Sequence, residues 1–104
     1  MEWMDIASAA AFPPGTCRTL EVAGKPVAVF NVEGSYFAIV DVCTHEEETL
    51  SNGFLEGRVI VCPRHGAHFS LVTGAALSPP ACEPVGTFPV RVENGIVQLG
   101  TAGG

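Results

Sequence analysis

An all-β fold is predicted for this chain by three features of its sequence. Short runs rich in β-branched and aromatic residues recur along it, and glycine-containing turn signals separate them. No segment keeps an apolar spacing of about 3.6 residues over three or more helical turns. The chain has 104 residues, 47% of them hydrophobic, and no internal repeat; that suffices for one modest core and predicts a single domain over 1–104.

Taken in order, the first expected element is a short turn of helix within residues 7–11, stopped by Pro13 and Pro14. Strands are expected at 19–22, 26–32 and 36–42, separated by the turn signals Ala23, Gly24, Lys25 and Glu33, Gly34, Ser35. Two more are expected at 58–62 and 67–71, the second closed by Thr73 and Gly74. The last pair, 87–92 and 96–99, flanks Glu93, Asn94 and Gly95, a strong tight-turn signal because Asn and Gly tolerate positive φ. Trp3 is expected to pack at the end of a sheet as a core anchor.

Composition narrows the function. Eleven acidic residues against five basic ones give a net charge of −6, which repels phosphate backbones and favours a partner with a basic docking surface, so no nucleic-acid partner is expected. The longest apolar runs, 26–30 and 37–40, fall far short of a membrane span. The N-terminus is acidic where a secretory signal is basic, and Asp5 interrupts its apolar stretch, so a cytoplasmic protein is expected. Thiols are kept reduced there, and four cysteines point to metal or catalysis before disulfides.

Between about 41 and 70 the chain changes character and gathers two Cys-His pairs with Gly53, Gly57, Pro63 and Gly66, which predicts a small inserted subdomain. Cys43, Thr44 and His45 form a C-x-H loop; sixteen residues later Cys62, Pro63, Arg64 and His65 form a C-x-x-H loop. Glycine allows close backbone approach and proline stiffens a turn, as loops wrapped round a metal centre require. Two Cys and two His are also a common structural zinc set. Zinc fingers, however, usually pair Cys with Cys and His with His, whereas each loop here supplies one of each.

These loops and their flanks resemble the Rieske [2Fe–2S] family, and more narrowly the ferredoxin components of bacterial aromatic-ring dioxygenase systems. The likeness runs from Cys43, Thr44 and His45 through Leu50, Ser51, Asn52 and Gly53 to Leu55, Glu56 and Gly57. It continues in Cys62, Pro63, Arg64, His65 and Gly66, in Phe69, in Thr73 and Gly74, and in Ser78, Pro79 and Pro80. The resemblance implies an antiparallel β-sandwich base, built from both chain ends, under the cluster-binding subdomain. It implies one [2Fe–2S] cluster, with Cys43 and Cys62 on one iron and His45 and His65 on the other through a single ring nitrogen each. Replacing two thiolates by neutral imidazoles raises a cluster's potential.

The same resemblance implies a monomeric one-electron carrier, not an enzyme, that takes electrons from a flavin-containing reductase and delivers them to a terminal oxygenase at the His45/His65 tip. Alternatives are the ferredoxin of a diiron monooxygenase system and a Rieske-like small subunit of a nitrite reductase. An oxygenase of this family needs a second domain with mononuclear iron, for which no room is expected after Ser70. High-potential members join the two loops by a disulfide where this chain has Glu48 and Arg64, which cannot form one. They carry serine and tyrosine hydroxyls near sulfur where it has Ala67 and Phe69, so a potential near the low end of the range of about −150 to +300 mV is expected.

The remaining candidates have plainer readings. His68 is expected to be a loop histidine outside the ligand set, and Cys17 and Cys82 to be free thiols. Glu46, Glu47 and Glu48 either solvate their loop or form an acidic docking rim beside His45. Pro79 and Pro80 are expected to cover the cluster.

Overall fold

The computed structural model describes residues 2–43, 49–64, 66–79 and 83–103. The described residues form ten strands: β1 Trp3–Ser8, β2 Cys17–Val22, β3 Lys25–Val32, β4 Ser35–Val40, β5 Phe54–Glu56, β6 Val59–Val61, β7 His68–Ser70, β8 Thr87–Phe88, β9 Val90–Glu93 and β10 Ile96–Gly100. They pair into antiparallel sheets ordered β1-β10-β9, β2-β3-β4-β8 and β5-β6-β7. Among the described residues no helix is long and apolar enough to cross a membrane.

Tight turns set the register of the first and last hairpins. Val22 pairs with Lys25, Val32 with Ser35 and Glu93 with Ile96, leaving two-residue loops. Their central residues, Ala23 and Gly24, Glu33 and Gly34, and Asn94 and Gly95, all have positive φ, from 51° to 94°. That is the type I′ geometry, whose twist matches that of the flanking strands.

The sheet containing β3 lies between the other two. Side chains alternate across a strand, and Val27 and Val29 of β3 join Phe12, Ala38, Phe88, Val97 and Leu99 in one buried cluster. Ala28 and Phe30 point the other way and join Ile39, Leu50, Ile60, Phe69 and Leu71 in a second. Burial on both faces explains why residues 26–30 read as a continuous apolar run instead of an alternating one. The second cluster also contains Cys43 and Cys62.

Four features depart from the sequence reading. Residues 3–8 are a strand paired with β10, Trp3 opposite Gly100, and only Ala9–Ala11 make a 3-10 turn, capped by the Ser8 hydroxyl oxygen, which accepts from the Ala11 N–H at 3.2 Å. Strand pairing with a segment ninety residues away outweighs the local helix preference of the alanines. Trp3 is only partly buried and lies outside both cores, with the Arg91 guanidinium 4.1 Å over its ring. β5 is too short, and its Phe54 and Leu55 too exposed, to leave a periodic signal. The strand expected at 87–92 is cut at Pro89, which has no N–H to donate; there the chain leaves β4 and joins β10.

Candidate metal centre

The first Cys-His loop leaves the end of β4. Asp41 is buried there, with Oδ1 accepting from the Ser51 N–H at 2.7 Å and Oδ2 from the Ser51 hydroxyl at 2.6 Å. Both carboxylate oxygens are thereby matched to donors, which a buried charged group requires. The pair joins the chain just before Cys43 to the 3-10 turn Leu50–Asn52 and closes the base of the segment between them. Gly53 ends that turn beside β6; a Cβ there would lie 2.0 Å from the Val61 carbonyl oxygen, so only glycine allows this approach.

The second loop joins β6 to β7. The Cys62 N–H donates to the Ala67 carbonyl at 2.8 Å, and the Gly66 N–H donates to the Cys62 carbonyl at 3.1 Å. Gly66 has φ 73°, a left-handed conformation suited to closing so short a turn. Pro63 and Arg64 lie inside it.

Cys43 is 0% and Cys62 2% exposed, and the structure brings both into one apolar cluster with Leu50, Ile60, Ala67, Phe69 and Val85. His45 and His65, the other two expected ligands, lie outside the described residues, as do Glu46, Glu47, Glu48, Pro80 and Cys82. Among the described residues no three His, Cys, Asp or Glu side chains are grouped closely enough to hold a metal ion. The donor chemistry nevertheless suits an iron–sulfur cluster: two dry thiol donors sit on separate loops, each with a histidine two or three residues further along.

His68 is engaged elsewhere. Its Nδ1 lies 3.0 Å from the Ser78 hydroxyl and its Nε2 3.6 Å from the Glu56 carboxylate. Ala67 and Phe69 are 1% and 0% exposed, so neither side chain brings a hydroxyl or water to the thiols. Cys17 carries a free, half-buried thiol at the edge of the same cluster. Burial, and after it the negative charge of Asp41, pushes that thiol up from 9.0 to about 11. Sequence reasoning missed the roles of Asp41, Ser51 and Ser78. The one available signal was an acidic residue ending an apolar strand two residues before a candidate ligand.

Known proteins resemble this chain over nearly its full length. The Rieske [2Fe–2S] domain profile matches residues 2–89. The ferredoxin component of the naphthalene 1,2-dioxygenase/salicylate 5-hydroxylase systems of Ralstonia sp. is 41% identical over 97 residues, covering 93% of each chain. The biphenyl dioxygenase ferredoxin subunit of Pseudomonas sp. strain KKS102 is 40% identical over 94 residues, covering 89% of this chain and 86% of its own. A solved complex of reduced oxygenase and oxidized ferredoxin in carbazole 1,9a-dioxygenase contains a chain that superposes with TM-score 0.89 at 39% identity, over 95% of this chain and 93% of that one.

Proposed function

The chain belongs to the Rieske [2Fe–2S] family, and from that membership we propose that it carries single electrons from a flavin-containing reductase to a terminal oxygenase that hydroxylates aromatic rings. The observation that carries this reading is the near full-length match, at about 40% identity, to proteins named as ferredoxin components of dioxygenase systems. A carrier of this size has no chemistry of its own to perform. The Ralstonia relative is named for two oxygenase systems, which suits a component that never touches the substrate.

In this reading Cys43, His45, Cys62 and His65 hold one Rieske cluster, which takes up and gives back one electron at a time. The protein's part is to fix the donors and keep water from them. Asp41 and Ser51 close the base of the first loop, and the short Cys62–Ala67 turn closes the second. Leu50, Ile60 and Phe69 pack the thiols in apolar surroundings. Electrons enter and leave at the His45/His65 end, where the protein docks as a monomer in the cytoplasm. The absence of hydroxyls at Ala67 and Phe69 supports a low potential, since hydrogen bonds to sulfur raise it.

The test is reconstitution. Mixed with a pre-reduced flavin-containing reductase, the purified holoprotein should bleach in its visible band, and it should recolour on addition of an oxidised Rieske oxygenase. A protein that reductase cannot reduce, or that returns no electron to any such oxygenase, would overturn the carrier role. His45→Ala and His65→Ala should each abolish the visible spectrum, whereas His68→Ala should keep it.

A further inference from the structure

One peptide group in the second loop is held from both sides. The Ala67 carbonyl accepts the Cys62 N–H at 2.8 Å, and the N–H of the same peptide, that of His68, donates to the Ser78 hydroxyl oxygen at 3.0 Å. Ser78 reaches this position because residues 75–78 run antiparallel beside β7. The Ser70 N–H donates to the Ala75 carbonyl at 2.9 Å, Ala76 bridges Phe69, and the Leu77 N–H donates to the His68 carbonyl at 2.7 Å. The Ser78 hydroxyl also lies 3.0 Å from His68 Nδ1, and the other ring nitrogen of His68 lies 3.6 Å from the Glu56 carboxylate.

We propose that Ser78 is a positioning residue for the loop that carries Cys62 and His65, acting through the Ala67–His68 peptide. A peptide is planar, so anchoring its N–H fixes the direction of its carbonyl and with it the direction from which the Cys62 N–H is held. A bond at one end of a peptide also polarises the other end and strengthens the acceptor. The segment 75–78 thus acts on the loop's geometry through this peptide. When the hydroxyl is absent the peptide can turn toward water, the Cys62 turn loosens, and water gains access to the thiol end of the site.

The proposal rests on Cys62 being a ligand, and the experiment separates the two. In the holoprotein, Ser78→Ala should lose its cluster to a chelator about fivefold faster than wild type, the factor corresponding to one net hydrogen bond. Its potential should also move to a more positive value, because water stabilises the added negative charge of the reduced state. A merely structural weakening would leave the potential unchanged. Ser78→Thr keeps the hydroxyl and should restore both quantities, and His68→Ala keeps the backbone bond and should stay close to wild type. A Ser78→Ala protein matching wild type in loss rate and potential would overturn the proposal, as would a His68→Ala protein reproducing its full effect. If Ser78→Ala does not accumulate as holoprotein, the His68 amide of wild type should exchange slowly with solvent, and fast exchange would overturn it. Cys62→Ala should hold no cluster; if it holds one, the ligand assignment fails first, whatever Ser78 does.

Discussion

At the scale of single residues, burial works differently on two neighbours of the proposed ligands. The Cys17 thiol, pushed up to about 11, stays protonated in the fold over a range in which an unfolded chain already ionises. The stability it contributes is therefore fully present below about 9.0 and is lost as pH rises toward 11. Thermal unfolding across that window should show a falling midpoint that Cys17→Ala flattens. Peptide mass spectrometry at pH 8 should find Cys17 alkylated far more slowly in native than in unfolded protein. Phe69 is wholly buried in the cluster that holds Cys43 and Cys62. Phe69→Tyr places a hydroxyl among these thiols and should raise the potential by tens of millivolts, a modest part of the range of about −150 to +300 mV that such clusters span. A voltammogram identical to wild type would remove Phe69 from the residues that set the potential.

At the scale of elements, the hairpins were the most legible part of the sequence, because their turns are specified by adjacent residues. Asn94 and Gly95 adopt the positive φ that both residue types tolerate, whereas Ala23 and Glu33 occupy the left-handed conformation at φ 51° and 53° with a Cβ that disfavours it. Ala23→Asn should therefore stabilise the protein by about 0.5–1 kcal/mol, read as a higher urea midpoint at unchanged slope. The elements that escaped the sequence depend on distant partners. β1 exists through β10, β5 is three residues long, and the break at Pro89 decides which sheet each half of its strand joins. At the candidate site, the motifs singled out Cys43 and Cys62, which the fold brings into one buried cluster. The Asp41–Ser51 and Ser78–His68 contacts were not legible, since ordinary polar residues gain a role only when folding brings them together across ten positions.

At the scale of the whole molecule, a middle sheet buried on both faces supports the strand base on one side and the Cys-bearing layer on the other. The chain is acidic overall, with net charge −6, and Glu46, Glu47 and Glu48 follow directly on His45. Such charge acts mainly on the rate of encounter with a basic partner, and salt screens it beyond about 8 Å at physiological ionic strength. Neutralising all three glutamates to glutamine should slow electron delivery to the oxygenase at low salt and flatten its salt dependence, with the visible spectrum unchanged. Stopped-flow rates equal to wild type across a salt series would make the three residues a solvated loop only.

The central claim, a [2Fe–2S] cluster held by Cys43, His45, Cys62 and His65, is tested most directly by electron paramagnetic resonance of the reduced protein. The account predicts a rhombic spectrum whose average g lies below that of clusters ligated by cysteine alone, because the added electron settles on the histidine-bound iron. A spectrum of the plant-ferredoxin type, or a colourless protein carrying one zinc and no signal, would contradict it.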